Sequence, residues 1–157
     1  MNLARHFSLV LATGFGLGYS PVASGTAGTL PGLLLVWAIW PCGWPWQIAA
    51  AILLPLAAVP VCDVAERHFG KKDDGRIVAD EYLTFPISMV GLPLTPRVLA
   101  MAFLSSRFFD ILKPPPARRL QSLRGGTGIV IDDVFASLYS LAANHIVYQV
   151  ITRWWMT

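Results

Sequence analysis

Apolar residues gather into four long blocks, at 28–40, 46–62, 82–112 and 129–151, separated by short stretches of charge, proline or glycine. Within each block the apolar run is nearly continuous. The pattern therefore argues for helices in an apolar medium and against a barrel of alternating strands of about 10 residues. Pro41, Cys42, Gly43, Trp44 and Pro45 make a tight, uncharged connection, so the first two blocks predict a helical hairpin. Pro93 and Pro96 break the third block into two antiparallel pieces joined around residues 94–97. The fourth has the length of a full span, about 20 residues. Shorter pieces are accommodated by tilt, local thinning or partial re-entry.

Ahead of the first block, Arg5 and the apolar stretch 7–17 resemble the basic and hydrophobic regions of a signal peptide, with small residues near Ala23. Gly14, Gly16 and Gly18 weaken that stretch as a helix, so an amphipathic segment lying at the interface is the better reading. The glycines themselves suggest close helix packing, because G-x-G-x-G is not a dinucleotide fingerprint and no strand precedes it. No internal repeat or linker divides the chain, and residues 1–157 read as one domain.

Composition turns the pattern into a class. Of 157 residues, 55% are hydrophobic and 13% charged, about half the charged fraction of a soluble domain. Disorder is excluded, and so few charges cannot cover a small soluble body. The fold class predicted is all-α, a polytopic helical membrane protein built of hairpins. The net charge of +3 does not indicate nucleic acid, because the basic residues sit between apolar blocks and form no basic face interleaved with aromatics. Cys42 and Cys62 have neither CxxC nor zinc spacing and read as packing residues, the three histidines as interfacial or packing residues, and the six tryptophans as interfacial anchors.

The hairpin pattern also sorts the charges. Arg5, the loop with Arg67, Lys71, Lys72 and Arg76, and the loop with Lys113, Arg118, Arg119 and Arg124 are separated by even numbers of crossings. They share one side, which the positive-inside rule makes cytoplasmic; Arg97 and Arg153 fall on the other.

Seven of the nine acidic residues lie in three short stretches: Asp73, Asp74, Asp80 and Glu81 in KKDDGRIVADE, Asp110 in SSRFFDILKP, and Asp132 and Asp133 in GGTGIVIDD. Ionised groups within or at the ends of apolar helices are expensive and functional by default. Carboxylates massed at one depth repel unless a cation lies among them, and hard oxygen donors favour Mg²⁺, often beside a substrate phosphate. Arg107, Asp110 and Lys113 would share a helical face if 105–113 is helical, offering one carboxylate and two cations. Ser24, Thr26 and Thr29, with three glycines before the first apolar helix, suggest an anion cradle. All of these stretches fall on the predicted cytoplasmic side.

Each element alone has a plainer explanation. Asp80-Glu81 and Asp132-Asp133 serve equally well as helix caps, Arg107–Asp110 as a structural ion pair, and Lys113 with its three prolines as a helix stop. Other phosphatase chemistries lack their residues: neither cysteine begins a Cys-x5-Arg loop, no D-x-D-x-T segment exists, and Lys113 stands where S-R-x5-H would need histidine. Metal-activated water remains, with carboxylates as ligands and one as base. A cation-binding membrane transporter without hydrolytic activity stays open at this point, although its acids would be expected along a path rather than at one side.

GFGLGYSPVASGTAGTLPG, DDGRIVADE, RFFDILKPPP and GGTGIVIDD resemble, in order and spacing, the signature stretches of the phosphatidylglycerophosphatase A family, over about residues 14–137. The resemblance implies a bacterial inner-membrane enzyme, dependent on Mg²⁺, that hydrolyses phosphatidylglycerophosphate to phosphatidylglycerol and inorganic phosphate. By its pattern Asp80, Glu81, Asp110, Asp132 and Asp133 are the catalytic and metal-binding set. Arg107 and Lys113, with Thr26 and Thr29, would bind the substrate phosphate. Two positions where the family commonly has glycine are Thr84 and Ser137 here.

Overall fold

The computed structural model describes residues 3–155, and the described residues hold helices and turns but no strand. The chain begins with α1 (Leu3–Ala12), a ten-residue helix too short to span, whose Leu3 and Phe7 are exposed while Ala12 is buried. The glycines after it do not pack helices together. Gly14, Phe15 and Gly16 all have positive φ, so the segment is a left-handed turn that a helix could not contain. Gly18 lies against the backbone of the 70–78 loop, where a Cβ would come within 2.1 Å of the Arg76 carbonyl oxygen.

α2 (Ser24–Ile39) and α3 (Trp44–Phe69) are joined by a 3-10 turn over Trp40–Cys42. These two helices and α7 (Gly126–Trp155) are long and apolar enough to cross a membrane. Pro31, Pro55 and Pro60 sit inside them, as membrane helices tolerate where neighbours satisfy the freed carbonyls. The hairpin is open: α2 and α3 diverge from the turn, and the third block lies between them. Trp40 is not an interfacial anchor as expected. It is buried, and its indole N–H donates to the Leu92 carbonyl at 2.9 Å. Trp37, Trp44 and Trp46 are exposed on the apolar surface. The side chains of Trp154 and Trp155 lie outside the described residues.

The third block departs from two regular helices. Its first half is a six-residue helix, α4 (Ala79–Thr84), continued by a 3-10 turn over Phe85–Met89. Its second half is α5 (Pro96–Leu112), capped by Thr95, whose Oγ1 accepts the Val98 N–H at 3.3 Å. The first half nevertheless travels the length of the protein. Val78 is tied to Ala12 beside α1, whereas Gly91 donates to Gln47 Oε1 and Leu92 receives Trp40 at the other end. The break therefore falls at 90–95, a little before the expected 94–97, because α5 already begins at Pro96. The irregular backbone before it is tolerated because it runs through the centre: Phe85, Pro86, Ser88 and Met89 are all buried.

Small residues let this central segment in. A Cβ on Gly28 would stand 2.4 Å from the Cβ of Val78, and one on Gly32 would stand 2.8 Å from that of Phe85. Gly25, Gly28 and Gly32 thus form a stripe along α2 that α4 lies against. On α7, Gly126 allows the same closeness to α3, where a Cβ would meet the Val59 carbonyl oxygen at 2.0 Å. A buried hydroxyl and amide seam joins the other side. Asn144 donates to the Ser88 carbonyl (3.0 Å) and to Ser140 Oγ (3.2 Å), and Ser105 Oγ donates to Asn144 Oδ1 (2.8 Å). One apolar core surrounds Ala12, Cys62, Tyr82 and Ile129, and a second surrounds Val36, Phe85, Met89 and Ala102.

Arg5, Arg67, Lys71, Lys72, Arg76, Lys113, Arg118, Arg119 and Arg124 all lie at the end where α2 and α7 begin and α3 and α5 finish. The even-crossing arithmetic of the sequence survives because the central segment completes a crossing without being a spanning helix.

Candidate active site

The acidic stretches converge at that basic end. α2 contributes Thr29, α4 contributes Asp80 and Glu81, α5 contributes Ser106, Arg107 and Asp110, and α7 contributes Asp132 and Asp133. Lys113 follows α5 directly. Arg107 is the hub. Its Nη1 donates to Glu81 Oε2 (3.0 Å) and to Thr29 Oγ1 (3.3 Å), and its Nη2 pairs with Asp110 Oδ2 at 3.1 Å. The Thr29 hydroxyl lies 3.1 Å from Glu81 Oε2 and 2.9 Å from the Gly25 carbonyl oxygen. Gly25 is required by this closeness, since a Cβ there would stand 2.5 Å from Glu81 Oε1 and 2.6 Å from Arg107 Nη2.

Arg107 and Asp110 meet at i, i+3 as expected, but Lys113 does not continue that helical face. α5 ends at Leu112, and Lys113 takes a left-handed conformation, φ 45°, that turns the chain into the following prolines. Its Nζ reaches Asp132 Oδ2 on α7 instead. Burial opposes the charge on Lys113, but the hydrogen bond and charge of Asp132, with Asp110 and Asp133 nearby, outweigh it and hold the ammonium above its ordinary pKa. Asp110 on α5 and Asp133 on α7 line the same cleft beside this pair.

Among the described residues, the buried side-chain polar atoms left without a protein partner are Asp80 Oδ1, Asp132 Oδ1, Asp133 Oδ2 and Arg107 Nε. All four belong to this cluster. Buried polar atoms are otherwise almost always paired, so their concentration marks a place built for something besides the protein. Three are carboxylate oxygens, the donor type that Mg²⁺ takes. The carboxylates are not, however, gathered as a ready-made triad. Among the described residues no three acidic, histidine or cysteine side chains stand together as a ligand set, because Arg107 and Lys113 hold Glu81, Asp110 and Asp132 in ion pairs.

Beside the cluster is a narrow cleft with room for about one water molecule, lined by Thr29, Glu81, Arg107, Asp110 and Asp133, with Thr84, Ser106 and Ser137. Thr84 and Ser137, singled out as departures in the sequence, are thus both in the cleft wall. The Thr84 hydroxyl is satisfied by the Asp80 carbonyl at 2.7 Å. Ser106 had no signal in the sequence beyond its neighbour Arg107. Thr26 and Ser24 are left aside: both lie in the first turn of α2, Thr26 exposed, and neither makes a side-chain hydrogen bond to the cluster.

A bundle of membrane-length helices with a buried polar centre of carboxylates and two cations, open at its basic end, defines an integral membrane protein with an enzyme-like site. The chain belongs to the phosphatidylglycerophosphatase A family, which it matches over residues 10–148. It is similar to the Escherichia coli K12 Phosphatidylglycerophosphatase A, with 33% identity over 83% of this chain and 77% of the relative. It is also similar to the Haemophilus influenzae Phosphatidylglycerophosphatase A, with 37% identity over 84% and 83%. A Bacteroides thetaiotaomicron protein provisionally named a phosphatidylinositol-3-phosphatase shares 32% identity over 89% of this chain and 92% of the relative. No solved structure matches the chain.

Proposed function

We propose that the protein hydrolyses phosphatidylglycerophosphate to phosphatidylglycerol and inorganic phosphate, with Mg²⁺, at the cytoplasmic face of a bacterial inner membrane. The observation that carries this is the coincidence, in a chain of this family, of three unpartnered buried carboxylate oxygens with Arg107 and Lys113 at one end of a membrane bundle. The concentration of Lys and Arg at the same end supports the cytoplasmic orientation.

Asp80, Asp132 and Asp133 would hold Mg²⁺ through their free oxygens, with Asp110 and Glu81 completing the set. When bound there, Mg²⁺ supplies Lewis-acid neutralisation of the phosphoryl oxygens. Arg107 and Lys113 bind those oxygens by exchanging their present carboxylate partners for phosphate, and their positive charges then meet the charge that spreads over the equatorial oxygens. Glu81 accepts a proton from the attacking water. The water oxygen bonds to phosphorus as the phosphorus–ester oxygen bond breaks, and the glycerol oxygen leaves as a hydroxyl by taking the proton that Glu81 received from the water. The cleft, sized for about one water, limits competing solvent. The diacylglycerol portion stays in the bilayer, beside the apolar outer faces of the helices.

Purified protein assayed for phosphate release from phosphatidylglycerophosphate, phosphatidylinositol 3-phosphate and phosphatidic acid, with Mg²⁺ or EDTA, tests the reading. Mg²⁺-dependent release from phosphatidylglycerophosphate, abolished in Asp110→Asn, is expected. Preference for the inositol lipid would move the function to the alternative raised by the Bacteroides relative, and no release from any of them by folded protein would overturn the phosphatase reading.

A further inference from the structure

Four hydroxyl-bearing residues stand in the wall of the cleft, and three of them already have acceptors. Thr29 Oγ1 donates to the Gly25 carbonyl (2.9 Å), Thr84 Oγ1 to the Asp80 carbonyl (2.7 Å) and Ser106 Oγ to the Phe103 carbonyl (2.9 Å), each within its own helix. Ser137 is the fourth. It stands one turn beyond Asp133 on α7, the helix against which α5 and the short α6 (Ala117–Leu120) pack. It is only 3% exposed, and among the described residues its hydroxyl has no hydrogen-bond partner. A helical serine ordinarily returns its proton to a carbonyl three or four residues back, as Ser106 does, so a free hydroxyl in a buried wall is available to something in the cleft.

Unlike the four sealed atoms of the polar cluster, the Ser137 oxygen reaches the space of the cleft. Glu81 lines the same space. Its Oε2 is taken by Thr29 and Arg107, and its Oε1 carries no hydrogen bond among the described residues. The cleft therefore sets an unengaged carboxylate oxygen and an unengaged hydroxyl around room for about one water molecule, which needs about two to four polar partners. That room is too small for a glycerol or phosphoryl group. The occupant it fits is the water that attacks.

We propose that Ser137 seats the attacking water and, by doing so, keeps the reaction a hydrolysis. The proposal rests on the phosphatase reading given above. One O–H of the water donates to Glu81 Oε1 and gives up its proton there as the water oxygen bonds to phosphorus. The other O–H donates to Ser137 Oγ and stays with the product phosphate. The phosphorus–ester bond breaks with its electron pair on the glycerol oxygen, which takes the proton from Glu81. Held at both hydrogens, the water keeps a lone pair directed at phosphorus. An alcohol has one O–H, which goes to Glu81, and puts a carbon where water has its second hydrogen. That carbon meets the Ser137 side chain and has nothing to donate to it. The seat thus disfavours phosphoryl transfer to the hydroxyls that lipid headgroups, the product's included, carry in the surrounding membrane.

Inorganic phosphate and methyl phosphate formed from phosphatidylglycerophosphate by the purified full chain, with Mg²⁺ and added methanol, are measured together by phosphorus NMR. Their ratio does not depend on how much of the protein is folded. In Ser137→Gly, which removes the hydroxyl and the carbon that carries it, the share of methyl phosphate should rise severalfold over wild type. In Ser137→Ala, kcat should fall about tenfold, the worth of one hydrogen bond, with KM and the midpoint of SDS denaturation unchanged. An unchanged share in Ser137→Gly, a Ser137→Ala kcat within about twofold of wild type, or a kcat loss that tracks a lowered midpoint would overturn the proposal while leaving the phosphatase reading standing. Release of neither product by folded wild type would overturn both, so the two failures are distinguishable.

Discussion

Asn144 is the residue whose removal should reach furthest from where it acts. It is fully buried in α7 and ties together the two segments that carry opposite partners of the site: the Ser88 carbonyl, seven residues beyond Glu81, and the Ser105 hydroxyl, two residues before Arg107. Asn144→Ala removes three hydrogen bonds. Ser105 and Ser140 keep each other at 2.6 Å, so the group left stranded is the Ser88 carbonyl in an irregular backbone. Interhelical hydrogen bonds in membranes average about 0.6 kcal/mol each, and a buried carbonyl stripped of its donor costs at least about 1 kcal/mol. With two of the three bonds running between segments, the expected loss is about 2 kcal/mol, a large share of the stability of a domain this size. SDS titration in mixed micelles, read by tryptophan fluorescence, measures it, and phosphate release at matched folded fraction shows whether the Glu81–Arg107 pairing suffers as well. A loss below about 0.5 kcal/mol with full activity would refute the idea that this seam holds the central segment in register.

Arg107→Lys should retain the fold yet lower turnover by at least about 100-fold, because an ammonium cannot bridge Glu81, Thr29 and Asp110 together; steady-state phosphate release checks it. Gly28→Ala should destabilise by about 1–3 kcal/mol in the same SDS titration, since its Cβ would stand 2.4 Å from that of Val78, an atom no rotamer change can move away. The Arg76 hydrogen bond holds the Asp74 carboxyl below its ordinary pKa despite burial. Its contribution to stability is therefore complete above the unfolded carboxylate range and is lost as pH falls through the folded value. Asp74→Asn should flatten the acid side of the denaturation profile between about pH 5 and 3. EDTA should abolish phosphate release and added Mg²⁺ restore it, measured on one preparation.

Much of this was legible in the chain because a bilayer leaves few alternatives. The apolar blocks marked α2, α3 and α7, Pro93 and Pro96 marked the reversal before α5, and the Lys and Arg residues assembled at one end as counted. The clustering of acids was legible for the same reason: a carboxylate in an apolar block has no ordinary use. What escaped was set by tertiary contact. Nothing local distinguishes the 3-10 backbone at Phe85–Met89 from a spanning helix, because its stability comes from being enclosed and from Asn144, 56 positions from Ser88. The role of Trp40 depended on Leu92, and that of Lys113 on a left-handed turn that redirects it from α5 to α7. Thr26 looked equivalent to Thr29 by type and spacing, and only the rotation of α2 separates them.

The enclosed central segment has a consequence for how the protein is made. Its short α4 and 3-10 turn leave backbone groups without regular helical partners, which is costly in an apolar medium unless neighbouring helices enclose them. It reaches its final place only when α7, which follows it in the chain, brings Asn144 to Ser88. The polar centre therefore depends on α7 twice, so a chain truncated before α7 would lack not only Asp132 and Asp133 but also the enclosure of the segment that carries Asp80 and Glu81.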